Sequence, residues 1–272
     1  MIANSRCIAC ILSKQERKIR KNSDEQKKKE YIHKVLKILY EYGTKECAPM
    51  VEKRIKDIYK EYYEEDVDYG ALKHRYNQYM LEKEEEIRAH IQENNDIETC
   101  IKYVCAGNYI DFGVANKIDD QLLQGLLDKV NELKISKKEV AYLEDELAQA
   151  KIFIEKLQNK YKNLQITAMV RGGIASNDAT MEDAEEIGLT NVVPVIGNGV
   201  AIMGTVKEQL SEEAKQKIQN ADIIIAKGMG NFESMYQEGM NPYYLLLCKC
   251  ELYKEIFGVE MFQPIFCKEE RL

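Results

Sequence analysis

A short apolar run that ends in a cation and two glycines constrains this chain most: Ala221-Asp-Ile-Ile-Ile-Ala-Lys-Gly-Met-Gly-Asn-Phe-Glu233. Asp222–Ala226 is long enough for a buried strand and too short for a helix. The glycines after it let the backbone turn sharply. A strand that delivers Lys227 and exposed backbone N–H groups to one sheet edge fits an open α/β architecture. There, ligands sit beyond the carboxyl ends of the strands. Two further junctions repeat the pattern. The strand candidate Gln165–Val170 is followed by Asn177-Asp178, and Asn191–Ile196 by Gly197-Asn-Gly199. Acid, amide, lysine and backbone N–H groups at three junctions suit a phosphate site with a metal.

The helical segments Met181–Ile187, Ser211–Gln219 and Met240–Phe257 alternate with these strands, and Phe262–Phe266 is a fourth, weaker strand candidate. That alternation predicts a mostly parallel, Rossmann-like, three-layer α/β/α sheet. The preceding residues read as helices. Ile32, Val35, Leu36, Leu39 and Tyr40 recur at three- and four-residue steps, as do Val51, Ile55, Ile58 and Tyr62. Pro49 suits a first helical turn. Further helices are expected at Tyr69–Glu93 and Asp96–Ala106. The chain thus divides into a helical lobe, 1–105, and an α/β lobe, 106–272. From Val140 to Tyr161 the apolar steps alternate three and four with no glycine or proline, the pattern of one long amphipathic helix where a first strand would be expected.

With 45% hydrophobic and 31% charged residues, the sequence reads as a soluble globular protein. No apolar run approaches the ~20 residues of a membrane span. A net charge of −7 argues against general nucleic-acid binding. The basic stretch Lys14–Lys29 is interleaved with acids and amides and reads as a solvated helix face. With no secretory leader pattern at its start, the chain is expected in the cytoplasm, its eight cysteines as thiols.

Each candidate site has a plain alternative. Asp178 can hold a hard cation through oxygen, or Asn177 or Asp178 can simply cap the helix that follows. Lys227 with Gly228 and Gly230 can cradle an anion, or form an ordinary strand-to-helix turn. Gly107-Asn-Tyr-Ile-Asp-Phe-Gly113 places Asn108 and Asp111 near the junction of the lobes, or merely ends a helix. Cys7-x-x-Cys10 lacks the βαβ context of a redox motif. Its zinc reading needs a second pair, for which Cys248-Lys-Cys250 is the candidate, and buried structural thiols are the simpler account. His33, His74 and His90 lie on charged helices and carry no assigned chemistry.

Together these segments resemble the damage-control phosphatase family, also described as an acidic-residue-methyltransferase-like metal-binding domain. The resemblance rests on Cys7-Ile-Ala-Cys10, Cys105–Gly113, Val170-Arg-Gly-Gly-Ile-Ala-Ser-Asn-Asp-Ala-Thr180 with Glu182–Leu189, and Ile224–Glu233. It implies a helical lobe on a Rossmann-like sheet, and hydrolysis of small phosphorylated metabolites such as sugar phosphates or damaged cofactor precursors. It implies a divalent metal, Mg, Mn, Co or Ni. By resemblance Asp178 is a metal ligand and, with Lys227, catalytic. Gly228, Gly230, Asn231 and Glu233 hold substrate with Lys227. Lys249 is a second phosphate lysine. Asn108, Asp111 and Asn177 border the pocket.

The sequence departs from the family at one point. The family's D-N-x-G-E turn, which supplies two more metal ligands, has no counterpart, because no Asp-Asn pair occurs in the chain. Its place falls between Ala150 and Lys151, where a strand and turn of about fifteen residues is missing, by the ordinary length of such elements. The long seam is then two helices joined. Three readings follow: a metal-dependent phosphatase, with Glu144, Asp145 or Glu146 as substitute ligands; a non-catalytic binder of phosphorylated metabolites, or a deletion product; and a thiol or metal module on Cys7 and Cys10. The oligomeric state is not legible.

Overall fold

The computed structural model describes residues 1–63, 68–94, 97–106, 133, 163 and 165–272. Six helices come first: α1 (Ser5–Ile19), α2 (Glu25–Tyr42), α3 (Ala48–Tyr62), α4 (Tyr69–Glu82), α5 (Glu84–Asn94) and α6 (Ile97–Ala106). Asn4, Asp24 and Asp68 accept from the backbone N–H groups of Cys7, Lys27 and Ala71, so three of these helices start on a capping side chain. Pro49 lies in the first turn of α3. The first three helices pack around Tyr31, Val35, Val51, Ile55 and Tyr59. The Tyr31 hydroxyl donates to Gln15 Oε1 at 2.6 Å, which satisfies the polar end of a fully buried ring.

Two expectations for this half need correction. The apolar stripe of α2 is narrower than its sequence suggests, with Leu36 and Tyr40 exposed. The single helix expected over Tyr69–Glu93 is two, broken at Lys83. Glu84, Glu85 and Glu86 follow that break, and three adjacent carboxylates are better placed at a helix N-terminus than in its middle.

The α/β part holds β1 (Ala168–Val170), α7 (Met181–Glu186), β2 (Val195–Gly197), α8 (Glu212–Gln219), β3 (Ile225–Lys227), α9 (Met229–Met235), β4 (Tyr243–Leu247), α10 (Glu251–Phe257) and β5 (Pro264–Lys268). β1 pairs parallel with β2, Ala168 opposite Val195. β3 pairs parallel with β4, Ile225 opposite Tyr243, and β5 runs antiparallel to β4.

The segment expected as one helix over Met240–Phe257 opens instead with β4, the central strand of its sheet. All five residues of Tyr243-Tyr-Leu-Leu-Leu247 are buried. A strand covered on both faces shows no alternation, so its leucines read as helical. Pro242 before it and Asn241 at φ 46° mark the break.

Among the described residues the strands form two separate ladders, β2-β1 and β3-β4-β5. Their order matches positions 3-2 and 4-5-6 of a doubly wound sheet of order 3-2-1-4-5-6. In such a sheet the ligand crevice lies where position 1 meets position 4. The helical half covers the α/β part through α3 on α9, α4 on α7, and α6 on β4 and β5. No helix among the described residues is long and apolar enough to cross a membrane.

Candidate phosphate site at the strand ends

The chain leaves β1 at Arg171 and folds back on itself, with the Arg171 N–H donating to Ala179 O at 2.8 Å. This closed loop brings Asp178 beside Arg171, and the Arg171 Nε donates to Asp178 Oδ2 at 2.6 Å. The rest of the guanidinium reaches the loop after β2 and, beyond it, the other ladder. Nη1 donates to Gly204 O at 2.6 Å and Thr205 Oγ1 at 3.3 Å, and Nη2 to Asn231 Oδ1 at 3.1 Å. One arginine therefore ties the end of β1, the loop after β2 and the start of α9. The helix α7 starts on Thr180, which settles the capping alternative: neither Asn177 nor Asp178 is its cap.

Lys227 ends β3 and lies exposed at the same edge. Gly228 follows at φ 93°, a left-handed value that suits glycine, and its N–H donates to Leu245 O at 2.8 Å. Asn231 Nδ2 donates to Lys227 O at 2.7 Å, and its Oδ1 also accepts from Thr205 Oγ1 at 2.8 Å. Asn231 thus braces the loop around Lys227. Lys249 lies two residues past β4, at the carboxyl end of a strand parallel to β3.

The Gly197-Asn-Gly199 loop closes the site on the β2 side. Asn198 Oδ1 accepts from the N–H groups of Gly172, at 2.9 Å, and Val200, at 3.0 Å. Asn198 is buried, and its Nδ2 has no hydrogen-bond partner among the described residues.

Glu233 is placed elsewhere. It sits on α9 and accepts from the Tyr253 hydroxyl at 3.1 Å, in the seam with α1, α3 and α10. Burial pushes its carboxyl up to about 7, and the nearby Glu52 carboxylate adds to the shift. An acid whose folded value is raised stabilises most below its unfolded value and loses that contribution as pH rises through the folded one. Glu233→Gln is therefore expected to be ~1–3 kcal/mol more stable than the parent at about pH 8, with the gap closing toward about pH 5. Urea melts at the two pH values check this.

Asn108, Asp111, Glu144–Glu146 and the seam from Val140 to Tyr161 lie outside the described residues. Cys7 is partly buried and Cys10 exposed on α1. Burial raises the thiols of Cys7, Cys47, Cys248 and Cys250, the opposite of activation.

A divalent cation fits the described donors poorly. Asp178 supplies one carboxylate, and its Oδ2 already accepts from the Arg171 guanidinium. Among the described residues no three His, Cys, Asp or Glu side chains gather as a metal site. Hard cations take six or more oxygens, with several fixed by the protein.

Sequence reasoning missed three contributors. Arg171 stands directly after a strand candidate and ahead of two glycines, a readable signal. Thr205 carries none. Lys73, on α4, donates to Asp183 Oδ2 at 2.6 Å across 110 residues, a pairing no local pattern shows. A shallow cleft of about 100 Å³, lined by Ala221, Asp222, Asn241 and Lys268 among others, lies at the amino ends of β3 and β4 and takes no part in the site.

The sheet and its loops define a doubly wound α/β protein with an ionic cluster at its strand carboxyl ends. The chain matches the damage-control phosphatase ARMT1-like domain over residues 3–265, and it belongs to that family. It is 28% identical to a damage-control phosphatase of Archaeoglobus fulgidus, over 94% of this chain and 95% of that one. It is 31% identical to the uncharacterized protein MJ0202 of Methanocaldococcus jannaschii, over 74% and 73%. The crystal structure of a DUF89 family protein from Pyrococcus horikoshii superposes with a TM-score of 0.76 at 23% identity, covering 99% of each chain, which shows the shared fold. The Archaeoglobus alignment is 277 positions long yet takes in 94% of a 272-residue chain, so that relative carries residues opposite gaps in this one. The family chemistry is phosphatase-like, generally with a divalent metal.

Proposed function

We propose that this chain binds a small phosphorylated metabolite at the carboxyl ends of β1, β2 and β3, and that it hydrolyses that ligand weakly or not at all. The observation that carries the reading is the Arg171 cluster. It joins Asp178 to Asn231 and the Lys227 loop on the two sides of the crevice position. Lys227 and Lys249 supply positive charge for a sugar phosphate or a damaged cofactor precursor. The weak-hydrolysis half is supported by the lack of any Asp-Asn pair and by the gaps against a relative. Lewis-acid polarisation and activation of water depend on a held metal.

The second reading, a working metal-dependent phosphatase, is favoured by family membership and by Asp178 standing at the strand end. A single assay separates the two. An aryl phosphate and a sugar-phosphate panel are offered with Mg²⁺, Mn²⁺, Co²⁺ or Ni²⁺, beside Asp178→Ala, while ligand-induced Tm shifts are recorded. The proposal expects a Tm rise with at least one sugar phosphate and turnover no greater than in Asp178→Ala. Metal-dependent turnover that Asp178→Ala abolishes overturns it and makes Glu144–Glu146 candidate ligands. A folded sample with neither shift nor turnover removes both readings.

A further inference from the structure

We infer that in this chain Arg171 holds the place of the divalent cation: its guanidinium compensates Asp178, and anion binding at this edge is independent of divalent metal. The geometry points to a fixed group. Arg171 donates to four acceptors on three chain segments, three of them outside its own loop, and its side chain is 11% exposed. A mobile surface arginine would not be held so. The guanidinium is planar and permanently charged, with donors in a fork that suits a carboxylate. A divalent cation on Asp178 Oδ2 would have to displace the Nε–H, leaving a mostly buried cation without its counter-ion. Otherwise it would sit beside a permanent positive charge.

Arg171 also couples Asp178 to the phosphate loop through Asn231, whose amide in turn holds Lys227 O. A metal would normally make that connection between carboxylate and ligand. Here hydrogen bonds already formed in the fold make it, so the anion meets Lys227 and backbone N–H groups that need no ion to place them. In this role Arg171 is a positioning residue. The anion arm of the inference rests on the phosphate-site reading above, and the metal arm does not.

The test is thermal unfolding and calorimetric titration of the full chain with Mn²⁺, and separately with inorganic phosphate in EDTA or in Mn²⁺. The expected result is that Mn²⁺ leaves the parent Tm unmoved, while phosphate raises it equally in EDTA and in Mn²⁺. Arg171→Gln releases the Asp178 carboxylate. It is expected to gain a Mn²⁺-dependent Tm rise, which the double variant Arg171→Gln, Asp178→Asn loses. A merely structural role for Arg171 would lower Tm without creating that metal response. A Mn²⁺-dependent rise in the parent that Asp178→Asn removes overturns the inference, as does a phosphate shift that needs Mn²⁺. If Arg171→Gln does not fold, the parent and Asp178→Asn decide the metal arm by themselves. If phosphate shifts nothing in either buffer, the phosphate-site reading falls, and the Mn²⁺ titration still decides the role of Arg171.

Discussion

Replacing Lys73 with alanine is expected to cost about 3–5 kcal/mol of stability, the range for leaving a buried charge without its partner. Lys73 Nζ meets Asp183 Oδ2 at 2.6 Å with side chains only 9% and 12% exposed. It also lies 3.4 Å from Thr180 Oγ1 and from the carbonyl oxygen of Asp178. Asp183 accepts in addition from the Thr180 N–H at 2.8 Å, the Thr180 hydroxyl at 2.7 Å and Asn77 Nδ2 at 3.0 Å. Burial alone would raise its carboxyl. The Lys73 ammonium and the Thr180 donors outweigh that and hold it below the usual carboxylate range.

The sign of the pH dependence follows. A depressed folded value means that the pair's contribution is fully present above the unfolded value and is lost as pH falls through the folded one. The deficit of Lys73→Ala should be largest near neutral pH and shrink in acid, where the stranded carboxylate protonates. Urea unfolding at about pH 7 and about pH 4 measures it, with m held constant as the check on two-state behaviour. An unchanged midpoint at neutral pH would refute the prediction. Because Lys73 also touches Asp178 O, the variant should weaken phosphate-induced stabilisation at temperatures where it is still folded. This one lysine links the helical half to the loop that carries the site.

The parts of the fold legible in the sequence are those written in local periodicity. The α8 start at Ser211, the Pro49 turn, the strand before Lys227 and the glycine loops all follow from neighbours within a few residues. β4 is hidden because a strand buried on both faces has the composition of a core helix. The places of two candidate residues are also legible: Asp178 lies in the loop after β1, and Lys227 ends β3. Their partners are not. Arg171 reaches Asn231 across 60 residues and Lys73 reaches Asp183 across 110, and only the packed chain makes those pairs. Glu233 shows the converse. Its place in the motif suggests substrate contact, but the helical period of α9 turns it toward Tyr253 in the seam. One absence is legible in the residues themselves. The chain holds no Asp-Asn pair, so its departure from the D-N-x-G-E turn that the resemblance implies can be read without a structure.

Gly230→Ala is expected to remove about 3 kcal/mol, the upper part of the overpacking range, and to abolish phosphate-induced stabilisation. The reason is space and not backbone conformation, since Gly230 is not among the glycines with positive φ. A methyl group there would stand 1.9 Å from Met203 O and 2.9 Å from Met203 C. Both obstacles are backbone, so no side-chain rotation relieves them. The facing residue is also constrained: a methyl on Gly204 would lie 2.7 Å from Gly230 O and 2.8 Å from Ser234 Oγ. Two glycines thus let α9 approach the loop after β2 closely enough for the Thr205 N–H to donate to Ser234 Oγ at 2.7 Å and for Thr205 Oγ1 to reach Asn231. Moving α9 outward stretches those bonds and the Arg171 bond to Asn231 together. Gly239→Ala is the matched control. Gly239 has φ 78° with nothing within 4 Å of the added methyl, so its cost is the left-handed conformation alone, about 1–2 kcal/mol. Denaturant melts and phosphate titrations of the two variants separate strain from displacement. Gly239→Ala should keep the phosphate shift at reduced stability, and Gly230→Ala should lose it at temperatures where the protein remains folded. If Gly230→Ala keeps a full phosphate shift, the approach of α9 to the β2 loop does not build the site, and anion binding rests on Lys227 and Lys249 without the Arg171 cluster.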